Sequence, residues 1–121
     1  MTSHQPPLSV GQLRGAQCAP AAREAALDAA QLQAQLGALP RWALCDGALQ
    51  ARYAFGAFLE TMAFVNALAW MAHGQDHHPD LSIGYDHCTV RWHTHSAGGI
   101  TLNDFICAAR CDALYEARRA P

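Results

Sequence analysis

Apolar residues first recur at helical spacing near position 30, where Leu32 and Leu36 follow an Asp28/Gln31 pair at capping-box spacing and Gly37 supplies a stop. This pattern predicts a first helix over 28–37. After Pro40 the period shortens. Segments 42–45 and 48–55 read as two strands around Asp46-Gly47, a dipeptide suited to positive φ in a tight hairpin. Helical spacing returns over 56–73, with Phe58, Met62, Val65, Ala69 and Ala72 on one stripe and Ala57, Phe64, Leu68 and Met71 on an adjoining one. Two stripes need two partners. One should lie on the sheet of its own subunit, and the other implies a self-association surface.

Segments 81–85 and 88–95 are extended again, the second with Cys88, Val90, Trp92 and Thr94 on one face and Arg91, His93 and His95 on the other. Gly98-Gly99 breaks the chain, and Thr101 opens a last helix with Asp104 in its first turn, where a carboxylate suits the helix dipole. Phe105, Ile106, Ala109, Ala113 and Leu114 are its inward residues. The order is helix, strand, strand, helix, strand, strand, helix. It predicts an α+β fold, a four-stranded antiparallel sheet with helices packed on one face. The domain is assigned to 27–117, between a loosely ordered N-terminal tail over 1–26 and a C-terminal tail over 118–121.

Composition narrows the function classes. With 121 residues, 51% of them apolar, the chain suits one domain with an ample core. Its net charge of −2 offers no basic stripe for a nucleic-acid backbone. All eight basic residues are Arg, so Schiff-base chemistry and a P-loop phosphate site lack their central lysine. The five cysteines, an odd number without a Cys-x-x-Cys pair, fit a reducing compartment and a cytoplasmic protein, and Cys107 and Cys111 read as small packing residues. Pro6, Pro7 and Pro20 interrupt 1–22, which therefore does not read as a secretory signal, and the apolar stretch 53–72 carries Glu60, Thr61 and Asn66, so no membrane span is expected.

Five of the seven histidines, His73, His77, His78, His93 and His95, fall close together across a helix end, a loop and a strand end. Imidazole both donates and accepts protons near neutral pH, so two or three in one cleft can run acid and base steps. Two other readings stand beside this one. His93-x-His95 with His77 or His78 could ligate a metal, although no His-Glu-x-x-His or Cys-x-x-Cys motif accompanies them. Alternatively the histidines are surface polar residues near turns, the reading adopted for His4 and His87. Against that for the others stands His77-His78-Pro79, two adjacent imidazoles before a φ-locked proline, with no evident folding need.

The acid–base reading acquires a family from the run His73-Gly74-Gln75-Asp76-His77-His78-Pro79, the aromatic Tyr85, then Thr94-His95-Ser96-Ala97-Gly98-Gly99-Ile100-Thr101 and Asp104. Leu39-Pro40-Arg41-Trp42, Tyr53-Ala54-Phe55 and Phe58 extend the match upstream. Over about 27–115 the chain resembles the pterin-4a-carbinolamine dehydratase family. His73 stands where that pattern often has glutamate, and Ala57 where aspartate is common.

The resemblance implies a four-stranded sheet assembled into homodimers or homotetramers through sheet edges and the long helix. It implies removal of water from a 4a-hydroxytetrahydropterin, the product of aromatic amino acid hydroxylases, to give quinonoid dihydropterin in tetrahydrobiopterin recycling. No metal or organic cofactor is implied. By the same match His77 and His95 take the acid and base roles, His78 binds substrate or supports proton transfer, and Asp104 orients an imidazole and stabilises its charged form. Asp76, Thr94 and Ser96 are expected to help cradle the pterin ring. Relatives of this fold also act as non-catalytic binding proteins, as dimerisation cofactors or enzyme assembly factors, and that is the alternative.

Overall fold

In the computed structural model of the protein, the described residues are 6–118. Its sheet has the order β1-β2-β4-β3, formed by β1 (Ala43–Cys45), β2 (Ala48–Ala54), β3 (Asp80–Ile83) and β4 (His87–Trp92), with every neighbouring pair antiparallel. The β1–β2 turn has Asp46 at φ 48° and Gly47 at φ 80°, the left-handed pair that the Asp-Gly dipeptide predicts. Across the two central strands, Leu49 pairs with Trp92, Ala51 with Val90 and Tyr53 with Cys88, and all six are buried. The intervening positions Gln50, Arg52, Thr89 and Arg91 carry the polar side chains of the opposite face. Strand periodicity therefore sets the inward side, and in β4 it divides the residues into the two faces read from the sequence.

Helices α3 (Phe58–Gln75) and α4 (Leu102–Glu116) cover that side, with Phe64, Leu68, Phe105, Ile106 and Ala109 in the core. Helix α2 (Ala29–Leu36) starts at Asp28 with both arms of its capping box made, Gln31 N–H to Asp28 and Asp28 N–H to Gln31. Around Tyr53 an aromatic cluster forms with Trp42, Phe64 and Tyr115, and both the Tyr53 hydroxyl and the Trp42 indole N–H donate to buried Asp112.

Two expectations change. The segment 1–26 is not a loose tail where it is described: it carries helix α1 (Val10–Gly15), and Leu13 is fully buried in the core. From Leu8 onward the segment is anchored at several points. Leu8 and the Gln35 amide exchange two hydrogen bonds, Arg14 pairs with Glu116, and Leu27 N–H donates to Ile100 C=O. The predicted order of seven elements stands, preceded by this further helix. The second change concerns α3. Phe64 and Leu68, assigned to a self-association stripe, are buried in the chain's own core, and the large apolar side chains left outside are Phe58, Leu59 and Trp70, 46%, 80% and 74% exposed. Residue 118 begins the C-terminal tail, and 119–121 lie outside the described residues, as does His4.

Candidate active site

The end of α3, the end of β4 and the start of α4 meet at Asp104. Asp76 caps α3 in the left-handed conformation, φ 51° and ψ 41°, and this turn sends the next side chain, His77, inward while His78 stays exposed. His77 is 7% exposed, and its ring lies flat against Trp92 from the inward face of β4, with centroids 5.5 Å apart and planes 14° from parallel. Its Nε2–H donates to Asp104 Oδ1 at 2.6 Å.

Asp104 has no solvent exposure, and its second oxygen is used as fully as the first. Oδ2 accepts from the Thr94 hydroxyl at 2.8 Å and from the Thr101 backbone N–H at 2.9 Å. The Thr101 hydroxyl in turn lies 2.9 Å from that of Thr94. The carboxylate thus sits in the first turn of α4, where orphan N–H groups favour negative charge. Burial disfavours the charged form of His77, but the Asp104 hydrogen bond and charge outweigh it, and Cys18 and Asp76 act in the same direction. His77 therefore holds its proton to higher pH than an ordinary histidine. Its Nδ1 is the ring atom left to exchange a proton with something else.

Beyond Thr94 the chain turns back, with Thr94 N–H donating to Gly99 C=O and Gly98 at φ 71°. The loop so closed carries His95 and Ser96, both exposed. The His95 ring packs edge-on against His93, centroids 4.0 Å apart, and His93 Nε2–H donates to Asp80 at 3.0 Å.

Of the candidate residues, the structure brings His77, Asp104 and Thr94 into one hydrogen-bonded cluster. Asp76 and His78 adjoin it in sequence on one side, His95 and Ser96 on the other. Among the described residues, neither His78 nor His95 makes a side-chain hydrogen bond to the cluster. Thr94 is buried, so its hydroxyl serves to hold Asp104. Trp92 and Thr101 were not singled out as site residues. Trp92 shares an inward face with Thr94 in the strand pattern, which marks it as core and does not reveal its contact with an imidazole. Among the described residues no group of three or more His, Cys, Asp or Glu side chains is placed to hold a metal ion. No described helix is long and apolar enough to cross a membrane.

Fold and site together define an α+β domain whose helix–strand junction buries a carboxylate-bound histidine, a centre able to exchange protons near neutral pH. Comparison with known proteins makes the class specific. The family model described as Pterin 4 alpha carbinolamine dehydratase matches residues 25–114. A relative from Chromobacterium violaceum, provisionally named pterin-4-alpha-carbinolamine dehydratase, is 54% identical over 80 residues, covering 66% of this chain and 74% of its own. One of the same provisional name from Stenotrophomonas maltophilia is 51% identical over 92 residues, 74% of this chain and 79% of its own.

Among solved structures, the transcriptional coactivator/pterin dehydratase of Brucella melitensis superposes with a TM-score of 0.71 at 28% identity, covering 74% of this chain and 97% of that one. A pterin dehydratase-like protein identified as a RuBisCO assembly factor in the alpha-carboxysome gives 0.52 at 29% identity, covering 62% and 87%. The chain belongs to the pterin-4-alpha-carbinolamine dehydratase family, a family of hydro-lyases.

Proposed function

We propose that the protein dehydrates a 4a-hydroxytetrahydropterin by histidine acid–base catalysis. In this reaction the 4a-hydroxyl receives a proton, the C4a–O bond breaks with its electron pair leaving on water, and a ring N–H gives up its proton, so one water is lost and quinonoid dihydropterin forms. The observation that carries the reading is the Asp104-bound His77, a buried imidazole held in one tautomer and biased toward its charged form. His77 and His95 share the acid and base steps. His78 contacts the substrate, Asp76 and Ser96 cradle its donor- and acceptor-rich ring, and Thr94 contributes through its hold on Asp104. Asp104 acts through His77 and is a positioning residue. The names of the relatives support the substrate class.

In this reading the protein works in the cytoplasm as a homodimer or homotetramer, recycling the pterin product of an aromatic amino acid hydroxylase. A second reading, a non-catalytic binding role, is favoured by the neighbour identified as an assembly factor. The presence of His77, His78, His95 and Asp104 together weighs toward catalysis. The test is an absorbance assay on chemically generated 4a-hydroxytetrahydropterin. Dehydration well above the solvent rate is expected, and a rate equal to solvent at micromolar protein transfers the case to the binding role.

A further inference from the structure

Two thiols that the dehydration reading does not use lie against each other where the N-terminal arm crosses α4. The arm is held there on both sides of Cys18. Cys18 N–H donates to the Gln75 side chain at 2.8 Å, Ala19 and the Asn103 amide exchange hydrogen bonds of 2.9 and 2.8 Å, and Arg110 donates to Ala16 C=O at 2.5 Å. These contacts bring Cys18 Sγ to 3.6 Å from Cys107 Sγ, although the two residues are 89 positions apart in sequence. Both are free thiols, Cys18 half-buried and Cys107 fully buried. A disulfide needs about 2.05 Å between sulfurs, so closure asks for a movement of about 1.5 Å from the observed separation.

We propose that Cys18 and Cys107 form a reversible intrachain disulfide when a hydroperoxide reaches the protein, stapling the N-terminal arm to α4 one turn beyond Asp104. Cys18 lies outside the residues matched by the family model, 25–114. The Cys18 thiolate attacks the terminal oxygen of the hydroperoxide, the O–O bond breaks, and the departing oxygen takes a proton to leave as water or alcohol. The Cys107 sulfur then attacks the Cys18 sulfenic sulfur. The S–O bond breaks and the hydroxyl leaves as water with the Cys107 proton. The two thiols together lose two electrons, which the hydroperoxide gains, and an external dithiol reverses the bond by exchange.

The two cysteines differ in the way this sequence requires. A hydrogen bond from Cys107 holds the Cys18 thiol below the ordinary range despite burial, with His77 and Arg110 adding to the effect, so the more accessible sulfur is the attacking one. Cys107 is pushed up by its contact with Cys18 and by burial. The Cys18 charge disappears once that sulfur carries oxygen, which removes one of the causes that raise Cys107, while burial remains.

The test is independent of whether the protein dehydrates pterins. Trypsin cuts after Arg, and Arg23, Arg52, Arg91 and Arg110 fall between successive cysteines, so each of the five lies in its own peptide. After hydrogen peroxide, titratable thiols should fall from five to three, with one linked pair joining 15–23 to 92–110. The thermal midpoint should rise by several degrees, because the bond closes a long loop in the unfolded chain. Dithiothreitol should reverse both changes, and Cys18→Ser should show neither. Retention of all five thiols would overturn the proposal, as would Cys18 recovered as sulfinic acid beside an intact Cys107, or links confined to other peptides. The peptide map of the unsubstituted protein decides the matter even where a Cys107→Ser chain does not fold.

Discussion

A carboxylate without solvent contact has to find its hydrogen-bond donors inside the protein, and Asp104 finds three, from His77, Thr94 and Thr101. Removing it orphans all of them at once. Asp104→Ala should therefore cost about 3–5 kcal/mol in urea denaturation, the range for breaking a buried ion pair. A loss below 1 kcal/mol would contradict the network. Asp104→Asn keeps the shape and removes the charge, so the His77 imidazole should titrate at lower pH in an NMR titration. Because the folded protein raises the His77 pKa above its ordinary value of 6.5, the histidine's stabilisation is complete below that pH and fades as pH rises through the folded value. The stability gap between the unsubstituted protein and His77→Gln should accordingly shrink on going from mildly acid to alkaline buffer, and a gap that widens would reverse the sign of the assignment. At this scale the sequence named both partners through a family motif. Which histidine Asp104 would hold was not legible, since His77 and His78 are adjacent and only the left-handed turn at Asp76 decides which one enters the core.

Elements with local signals were read correctly within a few residues: the Asp28/Gln31 box, the Asp46-Gly47 turn, and Thr101 before α4. The N-terminal arm is not legible in the sequence, because a six-residue helix between prolines has little periodicity and its anchors lie far away in the chain, on Gln35, Gln75, Asn103 and Arg110. One local clue was available. Ser9 and Gln12 make the same reciprocal capping box as Asp28 and Gln31, at the same spacing. Leu13 is that helix's one buried residue, so Leu13→Ala should cost about 2–5 kcal/mol, as for a core leucine. A truly loose arm would tolerate the change, and chemical denaturation distinguishes the two cases.

For the whole molecule, the alternation over 88–95 separates the two faces of the central strand as the structure does, but α3 is apolar nearly all round, and period alone could not say which stripe stays outside. Packing against α4 and the aromatic cluster claims Phe64 and Leu68. Self-association through α3 then runs through Phe58, Leu59 and Trp70. Light scattering should show an oligomer that loses mass in Leu59→Glu or Trp70→Glu with the fold retained, whereas Phe64→Asp should unfold the chain; a monomer at micromolar concentration contradicts the assembly. If imidazoles from the α3–β3 loop and from the loop after β4 act on one bound ring, the dehydration rate of 4a-hydroxytetrahydropterin reports it. His77→Gln and His95→Gln should each lower the rate by about 10²–10⁴-fold, and the double substitution should leave only the solvent reaction. Single variants that keep the full rate would contradict the claim.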